Sequence, residues 1–180
     1  MKTETGIRVS LVMARTLDGR TARSLNDPLD WTEAADKAHF SALTRRMGLV
    51  LMGSKTFDAM GGPLPGRKNV VFTRFPESRV SVSGDLAFTS GSVDAVLDGL
   101  AAEGYGEAAL IGGSRLNTAF AKAGRIHELF VTVSPLIFGA GPGLFSEHIP
   151  MDLLLVNAEP LGFGSLLLHY RVRHGGCHDA

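Results

Sequence analysis

The chain has one cysteine, Cys177, among 180 residues, so no internal disulfide can form and a disulfide-stapled scaffold is excluded. Aromatic residues are scarce at 7%, with a single tryptophan, Trp31. Charge of one sign is lacking as well: Lys+Arg and Asp+Glu each total 18, and the formal net charge is zero. No broad basic field therefore exists to draw nucleic acid or an anionic membrane surface. No apolar run is long enough to span a bilayer, and the first residues lack the basic-then-apolar pattern of a secretory signal. These absences lead us to expect a cytoplasmic protein without nucleic-acid or membrane partners. What is present is 44% hydrophobic residues, 20% charged residues and 22 glycines. That composition suits a packed core with many turns and excludes an extended disordered chain.

Apolar runs alternate with helix-like stretches. Strands are expected at 7–13, 49–52, 69–73, 86–89, 108–111, 128–133, 152–157 and 165–172. Helices are expected at 32–46, with Thr32 as N-cap, and at 54–60, 92–103 and 115–123. Such alternation predicts an α/β fold: a mixed, mostly parallel central sheet of about eight strands with helices on both faces. The closing strands have no helices between them and are expected to be antiparallel. Residues 1–173 read as one domain and 174–180 as a flexible polar tail. His174, Cys177 and His178 in that tail lack a rigid frame, so no metal site is expected.

The first helix carries an anomaly. Its apolar stripe runs through Phe40, Leu43 and Met47, and Asp36 lies four residues before Phe40, on the same stripe. A carboxylate there is costly unless paired. It is either an acid at the rim facing water or a carboxylate lining a pocket, ready to pair with a ligand's N–H donors. Trp31 and Phe40 flank it and could serve as flat apolar walls.

Two helices begin just after a buried strand and a glycine, at Leu49-Val-Leu-Met-Gly-Ser-Lys-Thr56 and at Ala109-Leu-Ile-Gly-Gly-Ser-Arg115. Helix starts present free N–H groups that can seat phosphate, and Lys55 and Arg115 add positive charge. Ordinary strand-to-helix turns would look the same at either place alone. The G-x-G-x-x-G fingerprint of a conventional dinucleotide-binding domain does not follow the first strand.

Together these features resemble the dihydrofolate reductase superfamily. The densest likeness is the run from Gly53-Ser-Lys-Thr-Phe through Pro63-Leu-Pro-Gly-Arg67 to Asn69-Val-Val-Phe-Thr-Arg74. Ile111-Gly112-Gly113 and the Trp31-to-Phe40 segment, with Asp36 between, add to it. The resemblance implies a dihydrofolate reductase-like fold and an NADPH-dependent oxidoreductase. Asp36 would bind the pterin ring and assist its protonation, with Thr132 hydrogen-bonding near the acid. Val12, Met13, Trp31, Phe40 and Met60 would surround the substrate, and Arg67 would hold its glutamate carboxylate. NADPH would lie along Ala14, Gly53, Ser54, Lys55, Thr56, Thr73, Arg74, Ile111, Gly112, Gly113, Ser114, Arg115 and Leu116. A cis peptide would join Gly112 to Gly113, and residues 16–31 would form a loop closing over the nicotinamide.

Other residues are similar instead to the reductase of riboflavin biosynthesis. They are Thr16-Leu-Asp-Gly-Arg20 after the first strand, Ser134-Pro-Leu-Ile-Phe-Gly-Ala-Gly141, Asn117, and the closing Leu168-His-Tyr-Arg-Val172. That group's D-D-P-x-L-T segment is missing, and there is no fused deaminase motif. The expected reaction is hydride transfer to a protonated C=N bond, most simply 7,8-dihydrofolate to tetrahydrofolate. The alternative substrate is 5-amino-6-(5-phosphoribosylamino)uracil or a related ribosylamino-pyrimidine phosphate. The partner in either case is a small molecule, and the riboflavin-like half leaves room for a homodimer.

Overall fold

The computed structural model describes residues 6–24 and 27–173, so the expected tail at 174–180 lies outside the described residues. The elements follow in the order β1 (Arg8–Thr16), α1 (Ala34–Met47), β2 (Leu49–Gly53), α2 (Ser54–Met60), β3 (Lys68–Phe72) and β4 (Leu86–Thr89). Then come α3 (Val93–Ala102), β5 (Glu107–Leu110), α4 (Ser114–Lys122), β6 (Glu128–Ser134), β7 (Leu153–Gly162) and β8 (Ser165–Val172). The eight strands form one sheet in the order β4-β3-β2-β5-β1-β6-β8-β7.

The sheet is mixed and mostly parallel. Only β8 runs against the others: it is antiparallel to β6 and to β7. The expectation that all the closing strands are antiparallel is corrected for β6, which pairs parallel with β1 because α4 carries the chain back before it. β7 continues to Gly162, five residues past its expected end, with bulges at Val156 and Leu161.

Strand alternation builds two cores. Leu49 and Leu51 of β2 face one way, with Val9, Leu11, Leu110 and Phe120, against α3 and α4. Val50 and Met52 face the other way, with Val12, Ile111 and Val71, against Leu43 and Met47 of α1 and Phe57 and Met60 of α2. The central strands β2, β3 and β5 are buried on both faces, which is why they read as apolar runs.

Helix ends follow local chemistry. Glu33, not Thr32, is the N-cap of α1, and it makes no side-chain capping bond. Gly48 ends α1 in the left-handed region at φ 71°, and its N–H reaches the carbonyls of Thr44 and Arg45.

Candidate active site

The strand order reverses around β5 and β1, and the carboxyl ends of β2, β5 and β1 meet there. Open α/β sheets bind ligands at such a switch point. The Gly53 N–H donates to the Gly112 carbonyl at 2.8 Å, and the Gly112–Gly113 peptide is cis, as expected. A Cβ on Gly112 would stand 3.2 Å from Met13 Cε and 3.8 Å from Thr56 Oγ1. One on Gly53 would meet the Gly113 nitrogen at 3.7 Å. Met13, Gly53, Thr56, Gly112 and Gly113 therefore converge on one patch of bare backbone. Ser114, Arg115 and Leu116 open α4 directly beyond it, with Leu116 packed against the first core.

The cations expected beside a dinucleotide are exposed and make no ion pair among the described residues: Lys55 on α2, Arg74 after β3 and Arg115 on α4. With seven residues, α2 is only two turns long, so its contribution rests on Lys55 and Thr56 more than on aligned backbone dipoles. Thr73 and Arg74 leave β3 three strand positions from β1, roughly 14 Å at the usual spacing. That span suits an extended two-part ligand reaching from β1 to the end of β3.

On the α1 face, Asp36 is 8% exposed and makes no hydrogen bond or ion pair with any described residue. Val12 and Ile111 belong to the same core, and Phe40 and Met60 pack against it. Thr132 is buried on β6 opposite Ala14 of β1, and no hydrogen bond joins it to Asp36. Trp31 sets its ring edge-on to Phe138 with centroids 5.4 Å apart, and its indole N–H is buried without an acceptor. The Asp36 carboxylate and the Trp31 N–H are thus both left without hydrogen-bond partners among the described residues.

Arg67 is 5% exposed, and no acid pairs with it among the described residues. Its Nε donates to the Pro65 carbonyl at 3.1 Å and its Nη1 to the Thr44 hydroxyl, which itself donates to the Phe40 carbonyl at 2.7 Å. Burial, and secondarily the charge of Arg45, lowers the Arg67 pKa from its ordinary value. A buried guanidinium held by neutral acceptors alone is complementary to an anion from outside.

Sequence reading missed the fastening of the loop after β1. The Asp18 carboxylate accepts the N–H of Gly139 at 2.8 Å, the N–H of Phe138 at 3.2 Å and the Thr16 hydroxyl. Arg20 Nη1 donates to the Gly141 carbonyl at 3.1 Å, and the Thr21 N–H to the Pro142 carbonyl at 2.8 Å. Gly141 sits at φ +124°, and a Cβ on it would lie 2.1 Å from the Ala22 carbonyl oxygen. The first half of the expected closing loop is therefore sewn to residues 138–143. Asn117 was also unread as a packing device: its Nδ2 donates to the Leu144 carbonyl at 2.8 Å and lies 3.0 Å from Met13 Sδ.

The model of the family described as "Dihydrofolate reductase" matches residues 8–134, and the chain belongs to that family. A dihydrofolate reductase type 3 from Salmonella typhimurium is 36% identical over 104 residues, covering 57% of this chain and 60% of that protein. The chain spans about 60% of the length of this relative and of the dihydrofolate reductase of Bacillus subtilis. A bifunctional deaminase/5-amino-6-(5-phosphoribosylamino)uracil reductase from Thermotoga maritima superposes with a TM-score of 0.80 at 19% identity, covering 94% of this chain and 58% of that one. A dihydrofolate reductase from Enterococcus faecalis, complexed with NADP(H), gives 0.71 at 18% identity, covering 94% and 99%. At those identities the structural likenesses establish the fold: the dihydrofolate reductase-like sheet.

Proposed function

We propose that the chain is an NADPH-dependent reductase that reduces a C=N bond in a pterin-like ring, with 7,8-dihydrofolate as the favoured substrate. The observation that carries this is that two buried charged groups, the Asp36 carboxylate and the Arg67 guanidinium, have no oppositely charged partner among the described residues. Dihydrofolate offers N–H donors at its ring and carboxylates at its tail, the complements of those two groups.

The residues present fit the cofactor. The bare backbone of Gly53, Gly112 and Gly113 leaves a cradle that side chains would fill, and Lys55, Arg74 and Arg115 are free to meet phosphate. When bound, NADPH supplies the hydride. Asp36 binds the ring's N–H groups and favours the protonated C=N, which makes its carbon more electrophilic. Trp31, Phe40 and Met60 exclude water and align the ring, and Arg67 fixes the tail so that the reacting atoms stay in register.

A second reading, a ribosylamino-pyrimidine phosphate as substrate, is favoured by the Asp18–Gly19 turn and its bonds to residues 138–139. In that case Arg67 would receive a phosphate. Loss of NADPH absorbance with dihydrofolate, and its absence with the pyrimidine phosphate, is the expected result. The converse outcome would move the assignment to the second reading, and no turnover with either would overturn both.

A further inference from the structure

Ser134 is the last residue of β6 and Ser165 the first of β8. The antiparallel register that pairs Val133 with Leu166 sets the two serines opposite each other, and the parallel register with β1 sets Ser134 beside Thr16. Directly opposed residues hold their Cβ atoms about 4.5–5.5 Å apart, so one small group can bond both hydroxyls. Ser134 is 2% exposed and Ser165 4%, and neither hydroxyl has a hydrogen-bond partner among the described residues. The Thr16 hydroxyl is already committed: it donates to Asp18 and accepts the Arg20 N–H at 2.9 Å.

Buried hydroxyls are nearly always hydrogen-bonded. Alanine would keep the packing without the cost of an unpaired polar group, so two facing serines without partners mark a place where something else bonds them. Hydroxyls donate and accept but carry no charge, and a charged group buried beside them would stay uncompensated. The group they suit is therefore neutral. Alternation along β6 puts Ser134 on the face of Phe130 and Thr132, the face that α1 covers, roughly 7 Å beyond Thr132 toward the site. Arg67 precedes β3, on one side of β1 in the sheet, and β6 and β8 lie on the other. The helix that carries Asp36, α1, packs over β2, β5 and β1 between them. A substrate whose anionic tail meets Arg67 and whose ring meets Asp36 turns its far edge toward the serines.

We propose that Ser134 and Ser165 are specificity-determining residues whose hydroxyls hold a neutral hydrogen-bonding substituent, a carbonyl or amino group, on the ring edge opposite the tail. The inference rests on the reading of the chain as a reductase of a pterin-like ring. It adds a third point of recognition to Asp36 and Arg67, and it acts on the ring alone. Neither serine takes part in moving the hydride or the proton.

The test is calorimetric affinity, without cofactor, for dihydrofolate and for a dihydropterin lacking the glutamate tail. The full chain is compared with Ser134→Ala, Ser165→Ala and the double variant. The double variant should bind both ligands about tenfold more weakly, the loss expected for two neutral hydrogen bonds, and each single variant should lie between. Single-turnover hydride transfer at saturating substrate should change little, and so should affinity for NADPH. The melting temperature without ligand should hold or rise, because the hydroxyls removed have no protein partner to lose. Unchanged affinity for both ligands in the double variant would overturn the inference and leave the functional reading standing. Weaker binding accompanied by a lower melting temperature and weaker NADPH binding would make the serines structural and overturn it as well. A wild-type chain that binds neither ligand would overturn the functional reading, and this inference with it.

Discussion

Asp18 and Gly139 lie 121 residues apart in sequence, and the carboxylate of one accepts the N–H of the other at 2.8 Å. This bond, with those to Phe138 and Thr16, ties the loop after β1 to the segment after β6, whose Phe138 ring abuts Trp31.

Asp18→Asn should loosen that tie. The Thr16 hydroxyl above all holds the Asp18 carboxyl below the usual carboxylate range; burial, the next largest effect, opposes it, and the Gly139 and Phe138 N–H groups add smaller lowering contributions. A folded-state pKa lowered in this way adds stability above the unfolded-state pKa, and that stability is lost as pH falls through the folded value. The variant's melting temperature should therefore lie below wild type at pH 7, and the gap should close in strong acid. Hydrogen exchange of the 16–24 backbone should quicken at pH 7. A pH-independent gap would show that packing, not the carboxylate charge, makes the tie.

How much of this was legible beforehand depended on whether the signal was local. The buried strands read correctly because period-two burial on both faces produces runs such as Leu49–Met52, whatever the rest of the chain does. Asp36 stood out because four residues of helix place it over Phe40. The Gly112–Gly113 patch was likewise carried by neighbours in sequence. What was not legible depended on distant partners. Asp18 looks like a turn residue until residues 138–139 arrive, and Asn117 looks out of place until the Leu144 carbonyl stands beside it. Nor can spacing show that Arg67 is buried with no acid to neutralise it.

Arg74→Ala should erode the preference for NADPH over NADH. Arg74 is exposed just beyond β3 with no acid partner among the described residues, where the cofactor's 2′-phosphate is proposed to lie. One lost charged contact costs about 1.5–3 kcal/mol when well formed, so the ratio of kcat/KM values should fall by about tenfold or more. Thermal stability without cofactor should not change. An unaltered ratio would place the phosphate elsewhere.

Arg67→Ala should raise KM for dihydrofolate far more than it lowers kcat, because the substrate's carboxylate tail is remote from the bond being reduced. A pterin lacking the glutamate should feel little difference between variant and wild type. The melting temperature should drop by only a few degrees, since the hydrogen bonds lost to Thr44 and Pro65 are partly offset by removing a buried, unneutralised charge. Equal losses on both substrates would make Arg67 a structural residue.

Asp36→Asn tests the centre of the proposal. Asparagine keeps the shape of the side chain and part of its hydrogen bonding but removes the negative charge that favours a protonated ring. Asp36 has no protein partner among the described residues, so the substitution breaks no existing contact, and the fold should survive with its melting temperature nearly unchanged. Hydride transfer at pH 7 should slow by roughly 10²–10⁴, the usual contribution of a positioned acid or base. The deficit should shrink as pH falls, because solvent then protonates more of the substrate without help. Affinity for NADPH alone should hold, since its proposed contacts lie at Gly53, Thr56 and the start of α4. Single-turnover rates across pH separate these effects. If the variant turns over normally at neutral pH, Asp36 takes no part in the chemistry, and the strongest reason for a pterin-like substrate falls with it.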